Sequence, residues 1–199
     1  MKNQFLESIA LRRSIYSLGN TLPVAKEEVT RTIQEAVRTS PSAFNSQSAR
    51  VVILYGDESR KLWKIVLDAL MKIVPADQVA DTKAKIAAFD SGAGTVLVFE
   101  DMDVIKSLQE NIPLYKDNFP LWSKHGTGIT QFSIWTSLAN INVGASLQHY
   151  GNLIEDEVRQ TWNLPSSWSL IAQMPFGSIK SPAGEKTFMP IEERVKVFG

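Results

Sequence analysis

Hydrophobic positions recur at helical spacing over six long stretches of this chain and run together in three short ones. Over residues 2–11, Phe5, Leu6, Ile9 and Ala10 fall on one side of a helix. Over residues 26–39, Val29, Ile33, Ala36 and Val37 form an apolar stripe opposite Lys26, Glu27, Glu28 and Arg31, and Pro41 stops the helix. Residues 58–73 carry Leu62, Ile65, Val66, Ala69, Leu70 and Ile73 on one face. Pro75 then interrupts, and a helix resumes over residues 77–89. Short, mostly apolar runs at residues 50–55, 95–99 and 168–174 predict short buried strands, the first ended by Gly56-Asp57. Asp103 is placed to cap a short helix through Asn111. Residues 112–126, with Pro113, Pro120 and Gly126 among aromatics, read as a long loop or broken helix. Residues 127–143 are apolar nearly all round, which predicts a central helix, one that a partner subunit can share. Gly144 is its expected C-cap, residues 152–162 form a polar-faced helix, and residues 191–198 a terminal strand. Helices outnumber strands and separate them, so the expected class is α+β or α/β, a sheet wrapped by helices, with residues 1–199 as one domain.

Composition narrows the function. The chain has 199 residues, 44% hydrophobic and 21% charged, enough for a sizeable core. Lys plus Arg and Asp plus Glu are 21 each, so no general surface for nucleic acid or anionic membrane is indicated. With no cysteine, thiol catalysis, disulfides and Cys-ligated metals are excluded. The N-terminus lacks the apolar core of a signal peptide and no apolar run is long enough to span a bilayer, so the expected location is cytoplasmic. His125 and His149 are the only histidines and carry no carboxylate pattern that predicts a metal site.

Three stretches offer chemistry. Arg12-Arg13-Ser14 places two guanidiniums beside a hydroxyl, a fork of donors that suits phosphate oxygens; a charged helix end reads the same way. Ser40-Pro41-Ser42-Ala43-Phe44-Asn45-Ser46-Gln47 combines ordinary loop residues with two amides two positions apart, which an extended segment would aim in one direction. Such amides match the alternating carbonyls and nitrogens of a flavin ring. Gly144 to Gly151 supplies small residues that let a ligand or a backbone approach. Gly92-Ala93-Gly94 precedes a strand and is no dinucleotide fingerprint, which needs its glycines after one. Phe44 and Trp122 could sandwich a flat ligand or simply pack, and His149 has a packing role as open to it as a chemical one.

Taken in order, Arg-Arg-Ser, Ser-Pro-Ser-Ala-Phe-Asn-Ser-Gln, a buried helix leading to Gly-Ala-Ser-Leu-Gln-His-Tyr, and Gly-Glu-Lys-Thr-Phe-x-Pro-x-x-x-Arg resemble the FMN-dependent nitroreductase family. The likeness runs from about Arg12 to Arg194 and is nearest to a compact subgroup of fungal and bacterial proteins linked to lipid and oxidative-stress responses. It implies an α+β nitroreductase-like fold, with a mixed, mostly antiparallel central sheet, in an entwined homodimer. It implies non-covalent FMN at the dimer interface and hydride from NADH or NADPH. It also implies nitroaromatic or quinone acceptors, with ping-pong exchange through the flavin and no catalytic side chain. By resemblance, Arg12, Ser14, Lys186 and Arg194 serve the phosphate end of the cofactor, and Arg13 lies beside its ring or its phosphate. Ser42, Asn45 and Gln47 belong to the loop that crosses the interface, and Leu147 and Gln148 to the segment against the ring. Phe44, Trp122 and His149 are the substrate-side candidates. Tyr16 departs from the pattern, since many members carry Lys or Arg there. A non-catalytic flavin-binding sensor or store, and a cofactor-free helical interaction domain, are the rival readings.

Overall fold

A computed structural model describes residues 3–199. The centre is a five-stranded sheet: β1 (Leu18–Gly19), β2 (Ala49–Tyr55), β3 (Gly94–Asp101), β4 (Gly144–Ala145) and β5 (Trp168–Ile179). The order is β1-β5-β3-β2, with β4 also pairing β5, and every strand pair is antiparallel. The parallel component of the expected mixed sheet reduces to an isolated bridge between Ser14 and Ala145. The class is α+β, as expected.

Strand β3 shows why residues 95–99 read as one apolar run. It is paired on both sides and covered on both faces, so alternate side chains enter two different cores. Leu97 and Phe99 join Leu62, Trp63 and Val66 of α3 (Asp57–Leu70), Phe89 of α4 (Val79–Asp90) and Ile154 and Val158 of α7 (Gly151–Thr161). Val96 and Val98 point the other way, onto Val29 and Ile33 of α2 (Lys26–Thr39) and Ile134 and Leu138 of α6 (Phe119–Asn140). Thr95 breaks the run chemically: its hydroxyl takes the Trp63 Nε1–H (2.9 Å) and bonds Ser59 Oγ (2.7 Å), so the buried indole is satisfied.

Several boundaries differ from expectation, and three of them have a clear local reason. The helix expected from residue 127 begins at Phe119, because Pro120 lies in its first turn, where proline costs no hydrogen bond. It ends before Asn142, whose left-handed φ of 58° takes the role expected of Gly144. The cap of α5 (Met102–Asn111) is Asp101, accepting from the Asp103 N–H (3.2 Å), two residues before the expected cap. Helix α1 (Gln4–Leu11) starts on an Asn3 cap; the Lys2 end of the helix expected over 2–11 lies outside the described residues. The expected terminal strand is instead a single turn, α8 (Ile191–Arg194), followed by unpaired, exposed chain.

One buried acid stands out. Glu100, at the end of β3, is 2% exposed, and its Oε2 accepts from Thr127 of α6. Oε1 has no hydrogen-bond partner. Burial raises its pKa against the opposing pull of Ser48, Thr127 and Arg50, and the neighbouring Asp101 raises it further. In the unfolded chain this carboxyl ionises above its ordinary value of about 4.3, while the folded chain still holds the proton. Its contribution is therefore lost as pH rises through that window. Glu100→Gln is expected to melt higher than the parent near neutral pH, with the difference closing towards pH 4, in paired melts across pH. Backbone crowding gives a second expectation. A Cβ on Gly177 would stand 2.1 Å from the Gly19 carbonyl oxygen and 2.9 Å from the Ala93 nitrogen. Gly177→Ala should cost about 2 kcal/mol in chemical denaturation, the usual penalty for forcing backbone apart.

Candidate functional site

Two groups of candidate residues form, at different places along α6. The first is cationic. Arg12 and Arg13 leave α1, and Ser14 bridges to Ala145. Together with Tyr16, Ser17 and residues 181–186 they line a cavity of about 420 Å³. Arg13 Nη2 donates to the Gly184 carbonyl (2.6 Å), which ties the start of the chain to its tail. The Arg12 guanidinium lies over the Trp135 ring, 4.3 Å from its centroid. Its Nε is buried without an acceptor. Burial, then repulsion from Arg13, lowers its pKa from the ordinary value, yet a guanidinium remains charged at neutral pH. Among the described residues, no carboxylate pairs with either arginine. Lys186 joins the lining, whereas Arg194 sits exposed in α8 outside it.

Beside this cavity runs the segment after β4. Gln148 is largely buried, its Nε2 donates to Ser146 Oγ (3.1 Å), and its backbone pairs with Gln173. Leu147 is half-buried, and His149 is exposed and lines none of the cavities described here. Tyr16 is 58% exposed, its ring tilted against Phe89 at 6.5 Å.

The second group is the loop between α2 and β2. It is not the extended segment expected from its sequence. Phe44, Asn45 and Gln47 have φ of 56°, 51° and 48°, all left-handed. That conformation costs a non-glycine residue roughly 1 kcal/mol or more, and asparagine tolerates it best. Ser42 holds the turn from both of its oxygens: Asn45 N–H donates to the carbonyl (3.0 Å) and Gln47 N–H to Oγ (2.9 Å). Arg50 closes it, donating to the Gln47 carbonyl (2.6 Å) while pairing with Asp101 (3.0 Å). The sequence pointed to Ser42, Asn45 and Gln47. It gave no sign of Arg50, which appears in a strand as an ordinary edge cation.

Two cavities flank this loop. One, about 230 Å³, is polar, lined by Ser42, Gln47, Ser48, Arg50, Gly126, Thr127 and Thr130 among others. The other, about 410 Å³, is apolar and lined by residues 41–44 with Trp122, His125, Gly126 and Ile129. Ser42 and Gly126 belong to both. Phe44 stacks on Trp122 with centroids 6.2 Å apart and 18° between planes, less than the roughly 7 Å that two ring contacts need. No third ring fits between them; a flat ligand has to lie alongside. Tyr115 and Phe119 complete the aromatic cluster.

Gly126 and Trp135 are nine residues apart on one helix, which sets the two groups about 14 Å apart along its axis. Among the described residues no group of three or more His, Cys, Asp or Glu could hold a metal, and no helix is long and apolar enough to cross a membrane.

Comparison with known proteins agrees with this architecture. The model of the Nitroreductase family matches residues 9–178. The nitroreductase CinD of Lactococcus lactis, solved in complex with chloramphenicol, is 48% identical over 98% of this chain and all of its own, with a TM-score of 0.91. The same protein has been solved with nicotinic acid and with 4-nitrophenol. The nitroreductase FRM2 of Saccharomyces cerevisiae is 33% identical over 187 residues, 93% of each chain. A Desulfovibrio desulfuricans protein solved in complex with FMN shares the fold at 20% identity and a TM-score of 0.71. With a family match across most of its length and relatives aligned nearly end to end, this chain belongs to the nitroreductase family and is an oxidoreductase.

Proposed function

We propose that the chain is an FMN-dependent NAD(P)H oxidoreductase that reduces nitroaromatic and quinone-type acceptors. The observation that carries this reading is the uncompensated pair Arg12–Arg13. Two adjacent guanidiniums, one with a buried donor lacking any acceptor, line a cavity with Ser14 and Lys186, and the one carboxylate of that lining, Glu185, pairs with neither. Two half-buried like charges, one with an orphaned donor, favour an anion with several oxygens, and a phosphate monoester fits. Arg12, Arg13, Ser14 and Lys186 would hold that phosphate, with Arg194 brought in from α8. Leu147 and Gln148, fixed beside Ser14 through the Ala145 bridge, would lie against the ring. FMN, once bound, supplies hydride acceptance from the nicotinamide and electron delivery to the acceptor.

The acceptor reading rests on the apolar cavity. Phe44, Trp122 and Ile129 exclude water from one side and offer ring faces to a flat substrate. The relative CinD, solved with chloramphenicol and 4-nitrophenol, takes nitroaromatic compounds of this shape. Donor and acceptor would use the same opening in turn, which gives ping-pong kinetics.

A second copy completes the site in this reading. Asn45 and Gln47 stand about 14 Å along α6 from the arginines of their own chain, so they would serve the cofactor of the partner. Two surfaces suit such an entwined homodimer. Strand β2 is hydrogen-bonded on one side only. The tail exposes Phe188 (74%) and Phe198 (93%) with Met189, Ile191, Val195 and Val197 between them, apolar surface that a monomer would leave in water. The location assigned on this reading is cytoplasmic.

Purified protein is expected to be yellow and to release FMN on denaturation. It should give parallel initial-rate lines when NADH or NADPH and a nitroaromatic are varied together. Intersecting lines would reject the ping-pong scheme, and bound flavin without turnover would leave a sensor or store. Arg12→Ala should weaken FMN binding by about 2 kcal/mol, the worth of a charge-assisted pair, measured by equilibrium dialysis. Deleting residues 181–199 should give a monomer by light scattering and a flavin-free chain.

A further inference from the structure

Trp135 touches both parts of the cationic site. The flat face of its indole lies under Arg12, 4.3 Å from guanidinium carbon to ring centroid, with Phe132 at a looser 6.0 Å. The edge of the same indole donates Nε1–H to the Ala145 carbonyl (3.1 Å). That carbonyl also receives the Ile15 N–H (2.9 Å), and Ala145 is bridged to Ser14. One side chain thus holds the arginine by its face. Its edge adds a second donor to an Ala145 carbonyl that the Ile15 N–H holds without it, so the backbone segments around Ser14 do not depend on the indole.

The choice of an aromatic matters. A carboxylate could also orient Arg12, but it would neutralise the charge and occupy its donors. A ring face orients the guanidinium by cation–π attraction and leaves the in-plane N–H groups free. Arginine otherwise carries much rotamer freedom that a ligand would have to remove on binding. The buried, acceptor-less Nε of Arg12 fits a cation preset for an anion.

We propose that Trp135 is the positioning residue that makes this cavity discriminate a phosphorylated flavin from the same ring system without its phosphate. The proposal rests on the FMN reading above and deepens it. Its readout is affinity: quenching of flavin fluorescence by apoprotein, measured for FMN and for riboflavin. Trp135→Leu should weaken FMN binding about tenfold, the scale of a partly desolvated cation–π contact. Riboflavin, with no phosphate for Arg12 to grip, should bind as before. Trp135→Phe, which keeps a smaller ring face and loses the N–H, should retain the FMN preference to within about threefold. In an Arg12→Ala background, Trp135→Leu should have no further effect on FMN, because the tryptophan acts through that arginine.

Equal weakening of both flavins would show a general packing role and overturn the proposal. So would unchanged FMN affinity, or additive losses in the double variant. Should the leucine variant not fold, the phenylalanine variant decides: loss of both flavins together rejects the proposal, and retained preference for FMN supports it. A parent chain that binds neither flavin overturns the proposed function itself, whereas FMN binding indifferent to Trp135 overturns this inference alone.

Discussion

The site depends on a charge left without a partner. This chain has as many carboxylates as cations, 21 of each. Some cations elsewhere find them: Arg38 pairs with Glu35, Lys64 with Asp68, and Arg159 with Glu155 and Asp156. Those pairs lie mostly on exposed helix faces, where each contributes only tenths of a kcal/mol. Arg12 and Arg13 sit side by side with no such partner, and the chain tolerates the repulsion by stacking one on Trp135 and tying the other to the Gly184 carbonyl. Placing the free charges at one cavity costs stability in the empty chain and returns it when an anion binds.

A second expense is conformational. Three of the four residues from Phe44 to Gln47 are left-handed, and none is glycine. Roughly 3 kcal/mol of backbone strain is concentrated there. Ser42 and Arg50 hold it with hydrogen bonds from either side. The result aims Gln47 into the polar cavity and Phe44 onto the aromatic wall of the apolar one. An extended loop could present amides, but it could not divide two cavities of opposite character across Ser42 and Gly126.

The scaffold was largely readable from the chain, because its signals are local. Apolar spacing located α2, α3, α7 and the three long strands, each buried on one face or two as its pattern implied. Motif order carried the family. What escaped is what tertiary contact decides. Pro113, Pro120 and Gly126 read as punctuation, yet α6 runs through the last two because its flanks are packed. The two-residue strands β1 and β4 exist only as partners of β5, and their sequences contain no strand signal. Among the candidate residues, Arg12, Arg13, Ser14 and Lys186 gather at one cavity. Arg50, Trp135 and Glu100 stood unnoticed, since a strand arginine, a helix tryptophan and a strand-end glutamate declare nothing until their neighbours are known.

The unpaired side of β2 has a meaning of its own. Seven residues of backbone, Ala49–Tyr55, carry amides and carbonyls with no neighbouring strand beyond them. A ribbon left open in this way can accept an extended peptide from another chain. Proteases cut preferentially in exposed, loosely held termini, and the stretch after Lys180 is of that kind. Trimming there would do more than shorten the molecule. It would remove the exposed apolar row from Phe188 to Phe198 and leave the open edge of β2 as the remaining surface on which an extended chain could pair.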